Sequence, residues 1–420
     1  MSNPLILSNS QSPALNALAV KASNDDFSYK IMKSISPAVS KQRREINIPN
    51  IQFGGSYSVN LLKYGLVNNV YLKLVVTHPA ADNKTITWRD GGILKLFKDI
   101  TLTSHSRVIE RLDNLYIQQY VLERAPSDNS AILSYTGFNT HDSKTVNTNE
   151  GVNVYYIPLP FSFFNGLSKA KDALHLQNMA VNFVLANSSE AVQHCSKGTS
   201  PKDFTVTEMN NLTFTASLIQ NYYEMDQAST NKLWEKTYNA SGPINQLYTQ
   251  TYKEATKTFT ISDHDTQVAE FDITTKNVIV RSYVQAFTES GANNKEIEPV
   301  AIDEITVSLN GVDYYACSTV ECNFEKLLSS DTYNRMSKIL TGGHGAYAEY
   351  YPLYEVDFRI IDMPACDKFS SGLSAKNVSA PMYKIKFAAN NTVKVNVVHE
   401  VLNIVQFSKA DGSMTSVLSV

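Results

Sequence analysis

Hydrophobic and polar residues alternate with a period of two along most of the chain from Ile46 onward. Clear examples lie at Val70–Val76, Leu212–Leu218, Ile305–Leu309, Tyr383–Phe387 and Val393–Val397. Such alternation places one face of a strand in a core and the other face in solvent or against a neighbour. Because many such runs follow one another with little helix between them, the predicted fold class is all-β, built from antiparallel sandwiches.

Two short helices are predicted between the strands. The segment Leu112–Leu122 has apolar residues on one face and is followed by Pro126, which ends helices. The second helix is predicted to begin at Ser318-Thr319-Val320-Glu321, a capping-box pattern, and to continue to Leu328.

The order of elements repeats in the two halves of the chain. Asn69 matches Asn277 at an offset of 208 residues, and Ile100 matches Ile305 at an offset of 205. Pro158 matches Pro352 at an offset of 194, and the last strands of the two halves are offset by 181. The order is kept while the offset shrinks, which indicates two copies of one sandwich with longer late loops, at 125–151 and 187–210, in the first.

This repeat divides the chain into five predicted parts. They are an N-terminal arm (1–45), a first sandwich (46–228), a linker (229–242), a second sandwich (243–410) and a C-terminal tail (411–420).

Charge is balanced overall but uneven along the chain. The chain has 37 Lys and Arg against 40 Asp and Glu, so no general basic field favours nucleic acid and no sequence-specific nucleic-acid binding is expected. Residues 1–45 carry +3 and the remainder −6, with a cationic cluster at Lys41, Arg43 and Arg44. Such a segment is either a solvated tail or an arm that contacts an acidic surface. Charged residues are only 18% of the chain and aromatic residues 10%, which suits a protein that hides surface against copies of itself.

Catalytic and metal-binding patterns are weak, so no catalytic residue, cofactor or metal ligand is predicted. Asp263-His264-Asp265 is expected to be a solvated turn, which leaves open a divalent ion at a subunit contact. Cys317 and Cys322 lack a zinc-finger His partner and are expected to be buried apolar residues. His399 follows the core-facing register of its strand and is expected to be a hydrogen-bonded structural histidine.

The stretch Val154–Asn187 carries a family resemblance. Ile157, Pro158, Leu159, Pro160 and Phe161, followed by Gly166 and Leu167, resemble a motif of double jelly-roll major capsid proteins of tailless icosahedral viruses, many of which contain a membrane. The closing strands of both halves are also similar to those of that family.

The resemblance implies two consecutive eight-stranded jelly rolls with short helical insertions. It implies a self-assembling coat protein, not an enzyme, whose homotrimers form pseudo-hexameric capsomers of an icosahedral shell. The implied partners are neighbouring capsomers, minor capsid proteins and vertex proteins. The N-terminal arm, with Lys41, Arg43 and Arg44, is then expected on the inner surface, where it contacts either membrane lipid or a neighbouring capsomer. No signal peptide or membrane span is recognised, so synthesis in the host cytoplasm is expected. The resemblance implies a place in the capsid shell of the virion.

Two other functions compete with this interpretation. A carbohydrate-binding or adhesin-type sandwich would stack sugars on exposed tyrosines and Trp88. A jelly-roll glycoside hydrolase would need two carboxylates about 5–9.5 Å apart on a concave face, and the alternating strands offer almost no inward-facing Asp or Glu.

Overall fold

The computed structural model describes fourteen segments of the chain. They are residues 40–63, 65–77, 84–88, 92–124, 145–147, 152–163, 178–197, 200–202, 213–224, 244–290, 296–318, 353–358, 372–408 and 414–419. Gly166, Leu167, the predicted linker and the predicted second helix from Val320 to Leu328 lie outside these residues.

The first part of the chain forms strands β1 to β12 and two helices. The strands are β1 (Ser40–Ile51), β2 (Ser56–Asn60), β3 (Leu66–Thr77), β4 (Lys84–Trp88), β5 (Phe97–Ser104), β6 (Arg107–Leu112), β7 (Thr145–Asn147), β8 (Val152–Leu159), β9 (Met179–Leu185), β10 (Val192–Lys197), β11 (Ser200–Lys202) and β12 (Thr213–Glu224). The helices are α1 (Asn114–Arg124) and α2 (Ser188–Ala191), and a 3-10 turn spans Gly92–Leu96.

Eight of these strands make the first sandwich. One sheet has the order β1-β12-β3-β8 and the other the order β2-β9-β5-β6, with antiparallel pairing throughout. The first and last strands of the sandwich are thus neighbours, as two interlocked Greek keys require. Their inward-facing residues, among them Leu72, Leu74 and Phe214, form one buried core.

The two late loops predicted for this half contain strands. β7 lies in one loop, β10 and β11 lie in the other, and with β4 they form a small sheet of order β11-β10-β4-β7. These strands have only three to six residues, too few for their alternation to stand out in the sequence.

The second part of the chain forms strands β13 to β24. They are β13 (Ile244–Lys253), β14 (Lys257–Thr260), β15 (Ala269–Asp272), β16 (Val278–Ser290), β17 (Glu296–Pro299), β18 (Ile302–Leu309), β19 (Val312–Ser318), β20 (Leu353–Asp357), β21 (Leu373–Ser374), β22 (Met382–Phe387), β23 (Thr392–Phe407) and β24 (Met414–Ser419). A 3-10 turn spans Ala375–Asn377.

The second sandwich repeats the strand order of the first. β13, β23, β16 and β20 are neighbours in one sheet, and β15-β22-β18-β19 is the order of the other. Each of the eight positions corresponds to one in the first sandwich: β13 to β1, β15 to β2, β16 to β3, β18 to β5, β19 to β6, β20 to β8, β22 to β9 and β23 to β12. The fold is therefore two consecutive jelly rolls, and the repeat predicted from the sequence is confirmed in its order.

The hairpins β5–β6 and β18–β19 correspond residue by residue. His105-Ser106 and Asn310-Gly311 form two-residue turns with positive φ at both positions, the type I′ geometry that suits the twist of a hairpin. In both hairpins a bulge follows, because Ile109 in one and Tyr314 in the other have no partner across the ladder. The offset of 205 residues therefore holds through turn and bulge.

Both predicted domain ends require correction. β1 begins at Ser40, so the predicted arm boundary at residue 45 falls inside a strand. Its residues from Ser40 to Glu45 are exposed and polar, so this part of the strand shows no alternation of apolar and polar residues. The predicted tail 411–420 contains β24, which pairs with β23 and extends the sheet beyond residue 410.

The first predicted helix is present two residues later than expected. Asp113 is its N-cap, because the carboxylate Oδ1 accepts a 2.9 Å hydrogen bond from the backbone N–H of Leu115. Leu112 is the last residue of β6.

Candidate functional site

The open edge of β6 contacts the first strand of the second sandwich, β13. The hydroxyl of Tyr248 donates a 2.6 Å hydrogen bond to the carbonyl oxygen of Ile109, and the hydroxyl of Thr251 donates one of 2.5 Å to that of Arg111. Thr251 Oγ1 also accepts a 3.0 Å hydrogen bond from the N–H of Asp113. An edge strand leaves such groups without a ladder partner. Hydroxyls of one sandwich therefore supply the hydrogen bonds that the edge of the other lacks.

Burial makes this contact a continuous part of the core. Tyr248 is 0% exposed and belongs to the same apolar cluster as the interior of the first sandwich, where its ring meets that of Phe163 edge-on at 6.3 Å. Burial, together with the charge of nearby Glu110, raises the pKa of the Tyr248 phenol well above its ordinary value. The phenol therefore acts as a hydrogen-bond donor throughout the physiological pH range.

Glu110 joins the family-like motif to this contact. Its side chain is 1% exposed and accepts backbone hydrogen bonds from Ser162, at 2.7 Å, and from Phe163, at 3.0 Å. Ser162 Oγ in turn accepts a hydrogen bond from the N–H of Thr249 at 3.0 Å. The carboxylate thus fixes the chain just after the motif against the second sandwich.

The motif residues themselves are mainly structural. Ile157, Leu159 and Phe161 are buried in the first core, and Pro158 lies opposite Tyr71 across the β3–β8 ladder. The backbone N–H of Phe161 bonds the carbonyl of Leu159 at 2.8 Å, which closes a tight turn around Pro160. The sequence identified this segment by resemblance, but the residues that anchor it, Glu110 and Thr249, carried no recognisable signal.

Helix α1 extends the contact over one face of the second sandwich. Leu115 packs on Val398, both of them buried, and the rings of Tyr116 and Tyr283 lie 6.1 Å apart. The predicted common face of this helix therefore contacts the other sandwich.

The three predicted arm cations lie on β1. The guanidinium of Arg43 lies 5.8 Å from the centre of the Tyr71 ring, which in turn lies 6.3 Å from the ring of Tyr156. Arg44 Nε donates to the hydroxyl of Tyr222 at 3.3 Å, and Lys41 pairs in register with Tyr223. The cations and the motif strand β8 therefore belong to one sheet, whose outer face carries Arg43, Tyr71 and Tyr156.

A charged row continues along the same face. Glu45 lies 3.6 Å from Lys73 Nζ, and a hydrogen bond from Ser217 with the charges of Lys73 and Arg43 holds the pKa of its carboxyl below the usual range. The outer face of this sheet is thus mixed, with cations and tyrosines side by side.

His399 belongs to a buried polar cluster inside the second sandwich. Its Nδ1 lies 2.7 Å from Ser282 Oγ, which accepts a 2.6 Å hydrogen bond from the hydroxyl of Tyr383, and its Nε2 lies 3.3 Å from Glu254 Oε1. The interpretation of His399 as a hydrogen-bonded structural histidine is confirmed. Serine, histidine and glutamate resemble a hydrolase triad, but Ser282 and His399 are both 0% exposed, so the hydroxyl cannot meet a substrate.

Three carboxylates are buried, although the alternation along the strands predicts almost no inward-facing Asp or Glu. Glu110, Glu254 and Glu400 are all buried. Glu400 accepts from Arg281 Nε at 2.8 Å, and Glu254 accepts backbone hydrogen bonds from Thr274 and Thr275. Each carboxylate is therefore bound to groups of the protein, which explains its burial.

Asp263 forms a local turn. Its carboxylate accepts hydrogen bonds from the side chain of Thr266 at 2.6 Å and from the N–H of Asp265 at 3.2 Å, as predicted for a solvated turn. In the described part of the chain, no three His, Cys, Asp or Glu side chains converge as metal ligands would. Cys317 lies on β19, and Cys322 lies outside the described residues.

Trp88 cannot stack on a sugar, as the carbohydrate-binding alternative would require. It is 0% exposed, and its Nε1 lies 3.4 Å from the hydroxyl of Tyr155 inside the first core. Among the described residues, no helix has the length and apolar character needed to cross a membrane.

Comparisons with known proteins agree with this architecture. No protein-family model and no curated protein sequence matches the chain. Among solved structures, the PBCV-1 virus capsid is 14% identical, with a TM-score of 0.62 over 91% of this chain and 98% of that one. The Faustovirus major capsid protein is 8% identical (TM-score 0.56, 88% and 91% covered) and the mavirus major capsid protein 9% identical (TM-score 0.51, 90% of each chain covered). The chain therefore has the double jelly-roll fold that these viral capsid proteins share.

Proposed function

We propose that the protein is a viral major capsid protein that works by self-assembly and without catalysis. The observation that carries this proposal is the buried contact between the two jelly rolls, in which β6 and α1 hold the sandwiches side by side as one block. Such a block presents two similar units, so three chains can place six of them around an axis. The whole-chain likeness to capsid proteins supports the same function.

The proposed assembly is a homotrimer that forms a pseudo-hexameric capsomer of an icosahedral shell in the virion, after synthesis in the host cytoplasm. Its partners are neighbouring capsomers and minor and vertex proteins. Contact with an inner membrane is assigned to the residues before Ser40 together with the exposed cations Lys41, Arg43 and Arg44 at the start of β1. An anionic lipid surface attracts a basic residue by about 1 kcal/mol, reduced by salt.

Native mass spectrometry of the full chain, with electron microscopy of the same sample, tests this proposal. We expect a mass three times that of the chain and particles of hexagonal outline. A monomer at micromolar concentration would contradict it.

A further inference from the structure

One row of inward-facing side chains is polar in the second sandwich and apolar in the first. In the second sandwich the row crosses β13, β23 and β16 and consists of Tyr252, His399 and Ser282. In the first sandwich the row at the same place crosses β1, β12 and β3 and consists of Ile48, Ala216 and Leu74. The two rows correspond, because the offset of 208 residues between the two halves of the chain relates Leu74 to Ser282.

The facing sheets differ in the same way. Tyr383 of β22 donates to Ser282 Oγ at 2.6 Å, and its ring stacks on that of His399 with 6.1 Å between the ring centres. Val181 has the corresponding position on β9, since the offset of 205 residues relates the strands β5 and β18 with which the two residues pair. All four counterparts in the first sandwich are buried. A jelly roll can therefore fill this place with apolar residues, and the fold does not require the polar cluster.

Glu254 joins the polar cluster to the 273–277 connection, which leads from β15 in one sheet to β16 in the other. Glu254 is 3% exposed, and its Oε1 accepts hydrogen bonds from the backbone N–H groups of Thr274, at 2.7 Å, and Thr275, at 3.2 Å. Its Oε2 accepts from the hydroxyl of Thr274. The same Oε1 lies 3.3 Å from His399 Nε2. One buried carboxylate thus holds the connection and contacts the histidine.

Tyr252 is the exposed side of this cluster. Its ring lies nearly parallel to the imidazole of His399, with 6.4 Å between the ring centres, and its hydroxyl lies 3.2 Å from Thr274 Oγ1. Tyr252 is 37% exposed, whereas His399 is 0% exposed. Movement of the 273–277 connection away from Glu254 would therefore also release Tyr252 and admit water to the imidazole.

The closed cluster favours the neutral imidazole. Ser282 Oγ accepts from Tyr383 and directs its own hydrogen at His399 Nδ1, 2.7 Å away, so a proton added to Nδ1 would meet that hydrogen. Burial lowers the pKa of His399, and the attraction of Glu254 offsets this only in part.

Few other ionisable groups face His399. Within the described segments, the titratable groups that contact the imidazole are Glu254, Tyr252 and Tyr383. Arg281 and Glu400 are neighbours in sequence but lie on the opposite face of the sheet, where they bind each other at 2.7 Å.

We propose that the 273–277 connection is an acid-operated latch of the second sandwich, which opens when His399 takes up a proton. In the open state the imidazole is hydrated and binds a proton below pH of about 6.5, whereas in the closed state it stays neutral. The equilibrium therefore shifts toward the open state as pH falls, by at most about tenfold per pH unit for one proton. The inference concerns a single chain and does not depend on the proposed assembly.

The corresponding connection of the first sandwich, between β2 and β3, is a natural control. Gln220 holds it, since its side chain accepts a 2.9 Å hydrogen bond from the N–H of Leu62 and donates one of 2.7 Å to the carbonyl of Leu62. An amide side chain does not titrate, so this connection should not respond to acid.

Hydrogen–deuterium exchange of the full chain at pH 7.5 and 5.5, read by mass spectrometry, tests the latch. After correction for the intrinsic pH dependence of amide exchange, protection of residues 273–277 is expected to fall by about tenfold, while protection around Leu62 stays constant. His399→Gln should abolish this response, and His264→Gln, at an exposed turn, should keep it. Unchanged protection of 273–277, an equal fall at Leu62, or a response that survives in His399→Gln overturns the inference.

Glu254→Gln gives an independent result should His399→Gln fail to fold by circular dichroism. A neutral amide cannot accept from all the donors of Thr274 and Thr275, so the latch should be open and residues 273–277 should exchange fast at both pH values. Slow exchange at pH 7.5 in a folded Glu254→Gln chain would show that this carboxylate does not hold the connection, and the inference would be wrong.

Discussion

Tyr248 and Ile109 belong to different sandwiches and are joined by a hydrogen bond of 2.6 Å between the phenol and a backbone carbonyl oxygen. Both residues are 0% exposed. A buried carbonyl without a donor destabilises a fold, and among the described strands only β5 pairs with β6, on its other edge. The two sandwiches therefore depend on each other for a complete set of hydrogen bonds.

Tyr248→Phe removes this donor while it keeps the ring. The variant leaves the Ile109 carbonyl buried without its partner, so the free energy of unfolding is expected to fall by about 1–2 kcal/mol. Urea denaturation followed by fluorescence measures the difference. Tyr252→Phe on the same strand is the control, because the Tyr252 hydroxyl contacts only the exposed Thr274. If both variants lose the same unfolding free energy, the hydrogen bond to Ile109 does not contribute more to stability than an exposed one.

Glu110→Gln tests the anchor of the motif segment. The carboxylate accepts from two backbone N–H groups, whereas an amide directs its own NH₂ donor at one of them. The variant is expected to lose about 2–3 kcal/mol of unfolding free energy, in the range of hydrogen bonds to charged groups. Glu270→Gln, at an exposed position of β15, should be neutral in the same denaturation experiment. A neutral result at Glu110 would contradict the anchoring role.

The sequence predicted those features that depend on alternation and order. The predicted correspondence of Ile100 with Ile305 is confirmed, because the hairpin turns and bulges that follow these residues have the same length in both sandwiches. Phe214 is buried as its strand pattern required. An apolar–polar alternation with a period of two indicates a strand with one buried face, and these central strands each have one buried face.

Features that depend on contacts between distant segments could not be predicted in this way. The sequence places Lys41, Arg43 and Arg44 in an arm, because this exposed part of an edge strand has no apolar face by which the strand could be recognised. Glu110 appears in the sequence as an ordinary surface residue of a strand, and only the approach of Ser162 and Phe163 makes it a buried acceptor. The candidate site is thus formed by tertiary neighbours that no local pattern encodes.

Acid is expected to destabilise the second sandwich through His399. Burial, only partly offset by Glu254, lowers the pKa of His399 in the folded protein. The unfolded chain therefore binds a proton below pH of about 6.5 that the folded chain does not bind, so stability falls as pH falls through this range, by at most about 1.4 kcal/mol per pH unit. Burial alone would raise the pKa of Glu254, but His399 and the hydrogen bonds from Thr274 lower it. The folded protein therefore loses further stability at more acidic pH, where this carboxylate is protonated. Denaturation curves at pH 7, 6 and 5 measure the slope.

His399→Gln removes the titrating group from this cluster. The variant is expected to be less stable at pH 7, where the cluster is disturbed, but to show a smaller loss between pH 7 and 5. His264→Gln, at an exposed turn, should keep the slope of the unaltered protein. If the stability of His399→Gln depends on pH as steeply as that of the unaltered protein, other groups cause the pH dependence.

Two N-terminal truncations separate the roles of the arm and of β1. Deletion of residues 1–39 leaves β1 whole, so we expect an unchanged melting temperature and a trimer that assembles poorly into particles. Deletion of residues 1–45 also removes the six residues that pair with Ile219–Glu224, together with Lys41, Arg43 and Arg44. This chain should melt at a lower temperature, because β12 loses the backbone hydrogen bonds of part of its edge partner β1. Scanning calorimetry, light scattering and electron microscopy of both truncations make the comparison. If the shorter deletion already abolishes the trimer, residues before Ser40 clamp the subunits together, and their assignment to an inner membrane is wrong.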